Sequence, residues 1–208
     1  MIPSLPRVIV FARTPVPGQV KTRLAAEVGA EQATRIYEAL AAGTVDRLRN
    51  SASPAWDLEI HYTPPDAESA AHIRSWLGDG LVLIPQVEGD LGMRMEAAIG
   101  KALAEGAPAA CVIASDVPDL GPLQVEAAFR ALAGSADVVF GPSPDGGYYL
   151  VALRSPCPSL FRSMPWSTPE VLKRSLSAVR QEALCAHLLE PLRDVDQASD
   201  LPPGFRRS

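Results

Sequence analysis

Cysteine, histidine, aromatic residues and long apolar runs are all scarce in this chain, and each scarcity removes a class of chemistry. The three cysteines, Cys111, Cys157 and Cys185, are odd in number and widely spaced, so neither a disulfide framework nor a C-x-x-C metal site is on offer. Cys111 reads as a core residue. The three histidines, His61, His72 and His187, lack the pairing of a metal site or a catalytic triad and are read as structural. No apolar run approaches the ~20 residues that span a bilayer, and the start runs straight into a strand rather than through a signal peptide. A cytoplasmic protein without a membrane span is therefore expected. Basic excess is missing as well: the net charge is −5 and the pI about 5.2, which argues against nucleic acid as a partner but permits a small local basic site. Neither the Walker pattern G-x-x-x-x-G-K-[ST] nor the Rossmann pattern G-x-G-x-x-G occurs.

What is present is enough apolar material for a core. Of 208 residues 47% are hydrophobic and 21% charged, which suits one globular domain over residues 1–208 with an ordered part at about 6–201. Buried strands are expected at Arg7–Ala12, Asp57–Tyr62, Leu81–Pro85, Ala110–Ala114, Asp137–Pro142 and Tyr148–Leu153, the last two paired. Ala33, Ile36, Tyr37, Leu40, Ala41, Thr44, Val45 and Leu48 recur at three and four residues and form one apolar helical stripe. Further helices are expected at Ala67–Leu77, Leu91–Ala104 and Pro122–Leu132. Strands alternating with helices imply a three-layer α/β/α sandwich around a mostly parallel sheet. Leu201–Ser208 reads as a frayed tail.

Several segments carry charge where such a sheet would end. Ala110–Ala114 leads into Ser115-Asp116-Val117-Pro118, and Pro118 forbids the strand to continue. Asp116 thus stands at the carboxyl end of a buried strand, where open α/β sheets bind ligands, although a turn also favours aspartate there. Arg13 to Leu24 places three cations, two prolines and a glycine between a strand end and a helix start. Such a loop is either a phosphate site or a solvated basic surface. Gly89-Asp90-Leu91-Gly92-Met93-Arg94 precedes a helix that Asp90 would cap, while Gly92 would let a base or ribose approach and Arg94 would suit a phosphate or a base edge. Pro144-Asp145-Gly146-Gly147 is a turn signal. Ser167 and Glu170 have capping-box spacing, with Trp166 and Val171 placed as a hydrophobic staple. Tyr148 and Tyr149 point to opposite faces of one strand, so at most one can face a site.

Together, Phe11-Ala12-Arg13-x-Pro15-x-Pro17-Gly18-x-Val20-Lys21-Thr22-Arg23-Leu24, Gly89-Asp90-Leu91-Gly92, Ser115-Asp116-x-Pro118, Asp145-Gly146-Gly147-Tyr148-Tyr149, Pro165-Trp166-Ser167-Thr168 and Asp194-Val195-Asp196 resemble the bacterial DUF2064 proteins. Those are GT-A-like nucleotide-diphospho-sugar transferases, usually labelled glycosyltransferases. The chain is more distantly similar to 2-phospholactate and molybdenum-cofactor guanylyltransferases. The resemblance implies a Mg²⁺ or Mn²⁺ ion at Asp116, with Asp196 as second ligand and Asp194 as the alternate; from the residues alone, Asp196 could instead cap a short terminal helix. It implies a nucleotide or nucleotide-sugar donor held by Arg13, Gly18, Lys21, Arg23, Gly92, Arg94 and Ser115. Lys21 and Arg23 would act on the leaving phosphates. Asp145 would contact the metal or accept a proton, beside an acceptor region of Gly146, Gly147, Tyr148 and Trp166. Glycosyl transfer to a small-molecule acceptor is the expected reaction. Nucleotidyl transfer with release of pyrophosphate is the alternative, and a non-catalytic nucleotide-binding protein is the alternative of another class.

Overall fold

The computed structural model describes residues 4–51, 55–202 and 205. Seven strands form one sheet in the order β3-β2-β1-β4-β6-β5-β7. The strands are β1 (Arg7–Arg13), β2 (Asp57–Thr63), β3 (Val82–Pro85), β4 (Ala110–Ala114), β5 (Val138–Pro142), β6 (Tyr148–Leu153) and β7 (Ala186–Leu188). Strand β1 pairs in parallel with β2 on one side and β4 on the other, while β6 runs antiparallel to both of its neighbours, β4 and β5. The mostly parallel three-layer sandwich expected from the sequence is the observed one. The β5–β6 pairing is also observed, but β6 lies between β4 and β5, so the hairpin's second strand turns back into the sheet.

Alternation along the strands splits the core between the two faces. Val8, Val10 and Ala12 of β1 pack in one cluster and Ile9 in the other, the period of two that a doubly covered strand requires. The first face is covered by α2 (Ala30–Arg49), α3 (Ala67–Leu77) and α5 (Pro122–Ala133), and the second by α4 (Leu91–Ala104) and α6 (Val171–Gln181). The expected stripe of α2 is buried from Ala33 to Leu48, with Arg47 and Arg49 in the last turn where they oppose the helix dipole. A short helix, α1 (Thr22–Val28), precedes it and is separated from it by Gly29 at φ 86°. Asp66 and Asp90 cap α3 and α4, each accepting a backbone N–H three residues on.

Two local expectations are corrected. Helix α6 begins at Val171 with Glu170 as its cap residue, and no side chain caps it. Ser167 lies at φ 63° outside the helix, so there is no capping box with Glu170; Thr168 Oγ1 instead donates to the Pro165 carbonyl at 2.8 Å. Leu201, at the start of the expected tail, is buried with Leu24, Ala33, Ile36 and Val195, while residues 203–204 and 206–208 of that tail lie outside the described residues. Strand β7 was not legible as a strand and owes its place to pairing with β5.

His61 is structural, as expected. Its Nε2 donates to Glu59 Oε2 at 2.9 Å, and the other Glu59 oxygen is held by Arg7. Burial raises the Glu59 carboxyl pKa, but the His61 hydrogen bond and the Arg7 charge outweigh it and hold the carboxyl below its usual range. The folded state therefore binds fewer protons than the unfolded one. This contribution is present above the ordinary carboxylate pKa of about 4.5 and is lost as pH falls through the lower folded value. Glu59→Gln should cost about 3 kcal/mol at neutral pH by breaking a buried pair. Thermal melts should show the difference from wild type shrinking as pH falls below that range.

Candidate functional site

Because β1 and β4 lie side by side in parallel register, with Phe11 opposite Ala114, the chain leaving each strand enters the same crevice. A cleft of about 720 Å³ opens there. Its walls contain Arg13, Lys21, Arg23, Arg94, Ser115, Asp116, Asp145, Gly147, Tyr148, Trp166, Asp194 and Asp196, so the structure brings most of the expected residues to one place. Gly18 sits on the basic loop at φ 78° with open space beside its Cα.

The carboxylates and cations interlock. Lys21 Nζ contacts Asp116 Oδ2 and lies 3.6 Å from Asp196 Oδ1, and Arg23 Nη1 reaches Asp196 Oδ2 at 2.9 Å. Separate roles for the basic loop and the acidic positions were expected; in the structure Lys21 and Arg23 are paired with those carboxylates. Burial lowers the Lys21 pKa, but Asp116, then Asp196 and Asp194, outweigh it and hold the ammonium above its usual range. Val195 explains why both flanking aspartates face the cleft. It is fully buried and its N–H donates to the Asp116 carbonyl at 3.2 Å, which anchors the segment beside β4 with Asp194 and Asp196 on the cleft wall. Asp194 is half-buried, and burial followed by the nearby Asp116 charge pushes its carboxyl up to about 6. The cap residue of the short terminal turn, Ala198–Asp200, is Gln197 and not Asp196, and Asp200 Oδ2 reaches back to accept the N–H groups of Gln197 and Asp196.

The loop after β4 is held from behind. Arg47 of α2 donates from Nε to the Leu120 carbonyl at 2.8 Å and from Nη2 to the Val117 carbonyl at 3.5 Å. Tyr37, one turn from Leu40 on the same helix, accepts the Arg13 N–H at 2.9 Å, and its hydroxyl lies 3.5 Å from Ser115 Oγ. Burial pushes the Tyr37 phenol up. Sequence reasoning placed Tyr37 only in an apolar stripe and gave Arg47 no role, because the partners of both lie far along the chain. Arg94 donates to the Gly89 carbonyl and to Gln86 Oε1 at 3.1 and 3.3 Å, and Gln86, which was also missed, is buried on the His61 carbonyl.

Two glycines serve packing rather than ligand approach. A Cβ on Gly92 would lie 2.1 Å from the Phe161 carbonyl oxygen and 2.7 Å from Trp166 Nε1, so the surface expected to receive a base or ribose is covered by Trp166 and the Phe161 main chain. Gly146, at φ 89°, would place a Cβ 2.2 Å from the Pro169 carbonyl oxygen, and its own carbonyl accepts the Leu172 N–H. It docks the entry to α6. Asp145 is exposed and its Oδ1 accepts the Gly147 N–H at 2.9 Å, the turn geometry expected of Asp-Gly. Tyr148 and Tyr149 do point to opposite faces. Trp166 meets Tyr148 edge-on at 6.4 Å and forms an aromatic wall of the cleft, whereas the Tyr149 hydroxyl donates to the Glu190 carbonyl.

The sheet order and the charged crevice at the ends of β1 and β4 define a GT-A-like transferase fold. The chain belongs to the DUF2064 family, described as uncharacterized proteins conserved in bacteria, whose model matches residues 44–168. A protein of Desulfovibrio desulfuricans G20, provisionally described as a nucleotide-diphospho-sugar transferase, is 32% identical over 99% of this chain and 91% of its own, with a TM-score of 0.88. Fold similarity extends to a CMP:2-keto-3-deoxy-manno-octonic acid synthetase complexed with CTP, at 14% identity and TM-score 0.57 over 98% of both chains. It extends also to glucosyl-3-phosphoglycerate synthase of Mycobacterium tuberculosis in complex with Mn²⁺ and UDP, at 11% identity and TM-score 0.57 over 95% of this chain and 74% of that one. No curated relative matches the sequence. Among the described residues no helix is long and apolar enough to cross a membrane.

Proposed function

We propose that the protein is a divalent-metal-dependent transferase that takes a nucleotide-diphospho-sugar as donor and passes the sugar to a small acceptor. One observation carries the reading: the Lys21–Asp116–Asp196–Arg23 network stands at the carboxyl ends of β1 and β4 inside the cleft. The description of the Desulfovibrio relative supports this donor class.

The residues fit a Mg²⁺ or Mn²⁺ ion. Asp116 and Asp196 offer hard oxygens already bridged by one cation. Among the described residues no three ligating side chains converge on one point, and ions of this kind take one or two carboxylates plus phosphate oxygens. Asp116 and Asp196 would hold the ion, with Asp194 beside them. Bound there, it would supply Lewis-acid stabilisation of the departing diphosphate.

The chain's own groups do the rest. As the bond from the sugar's anomeric carbon to the phosphate oxygen breaks, charge grows on the nucleoside diphosphate, and Lys21 and Arg23 are placed to stabilise it. Arg13 and Arg94 extend that positive lining along the cleft. The acceptor hydroxyl approaches past Trp166 and Tyr148, forms the new bond to the anomeric carbon, and passes its proton to Asp145.

The test is product analysis with panels of nucleoside diphosphate sugars and nucleoside triphosphates. Release of nucleoside diphosphate, dependent on Mg²⁺ or Mn²⁺, is the expected result. Pyrophosphate release from a triphosphate would replace the reading with nucleotidyl transfer. Nucleotide binding without turnover over a broad acceptor panel would favour a non-catalytic binding protein.

A further inference from the structure

The Lys21 ammonium stands where a divalent ion would have to bind. Its side chain is 7% exposed, against 22% for Asp116 and 38% for Asp196, so it sits beneath the carboxylates it bridges. Lys21 takes Asp116 Oδ2 and faces Asp196 Oδ1, and Arg23 takes Asp196 Oδ2. An ion sharing those oxygens with an ammonium a few ångströms away would meet strong repulsion at the low dielectric of a buried site. The two cations are therefore competitors. A flexible four-carbon stem lets the lysine move, and a diphosphate brought into the same cleft offers it a second anionic partner.

We propose that Lys21 is an internal counter-ion that holds Asp116 and Asp196 while the donor is absent and leaves them when the donor arrives. Metal and diphosphate then bind as a coupled pair: the ion takes the carboxylates as the phosphates take the ammonium. The inference rests on the reading of Asp116 and Asp196 as the metal positions. Its consequence is that bare metal binds weakly, because it must first displace a buried lysine from the two carboxylates it bridges. The site charges with metal only when a phosphate-bearing donor is present.

Mn²⁺ binding, followed by the paramagnetic signal of the free ion, tests this in the complete chain without any nucleotide. Wild type is compared with Lys21→Met, Lys21→Gly and the double variant Lys21→Met/Asp116→Asn. The glycine variant also releases the left-handed backbone of residue 21, at φ 48°, so it remains informative if the methionine variant folds poorly. Both single variants should bind Mn²⁺ about tenfold more tightly than wild type, a coupling of ordinary size. They should melt below wild type without metal, recover when Mn²⁺ is added, and lose the gain in the double variant. With inorganic pyrophosphate as the phosphate probe, corrected for its own complexation of Mn²⁺, affinity should rise by a larger factor in wild type than in the Lys21 variants, because only wild type also gains the release of the ammonium to the phosphates. If the single variants bind Mn²⁺ no better than wild type while still requiring Asp116, the displacement is overturned and the metal positions stand. If no variant binds Mn²⁺, the metal reading falls and this inference falls with it.

Discussion

Asp116→Asn should fold and yet lose metal-dependent nucleotide binding, with turnover lower by at least about 100-fold, the scale of losing one preorganised electrostatic contact to developing charge. Asparagine keeps the size of the side chain. The anchoring of the loop does not depend on the carboxylate: the Asp116 carbonyl accepts from Val195, and Arg47 holds the Val117 and Leu120 carbonyls. What is removed is the charge facing Lys21 and the hard oxygen offered to the ion. Melting temperature and calorimetric titration of nucleotide with and without Mn²⁺ separate the two. A variant that binds nucleotide and Mn²⁺ as tightly as wild type would remove Asp116 from the metal position.

Asp145→Asn should divide the rate from donor binding. The Asp145 Oδ1 that accepts the Gly147 N–H is available in asparagine too, so the turn survives while the proton acceptor is lost. Donor affinity should stay within a few-fold of wild type, and kcat should fall by about 100-fold or more, the usual contribution of general base catalysis. Equilibrium donor binding and single-turnover rates on the same preparation decide the matter. A proportional loss of donor binding would move Asp145 into the metal shell, and an unchanged rate would return it to being a turn residue.

The parts of this arrangement that depend on local chemistry were legible in the chain. The apolar run ending on Asp116, the stripe of α2 and the opposed faces of Tyr148 and Tyr149 follow from periodicity, and the cap at Asp90 from side-chain preference. The parts that depend on distant partners were not. Arg23 and Asp196 are 173 residues apart, and nothing in either segment says that they pair, so cations and carboxylates were assigned separate duties. Gly92 was given to the ligand because a first-turn glycine admits close approach; the approaching group is Trp166, which only the fold brings there. Ser167 and Glu170 had the right spacing for a capping box, but a helix start at Val171 left the pair outside the helix. The signal that could have exposed Tyr37 and Gln86 is modest: each is a polar-tipped side chain in a buried setting, which must find a partner.

The most direct test of the metal-dependent donor reading is calorimetric titration of the wild-type protein with a panel of nucleoside diphosphate sugars, each in Mn²⁺ and again in a chelator. At least one member should bind about tenfold or more tightly with Mn²⁺ than without. Binding of none, or a tightest ligand indifferent to the metal, would contradict it.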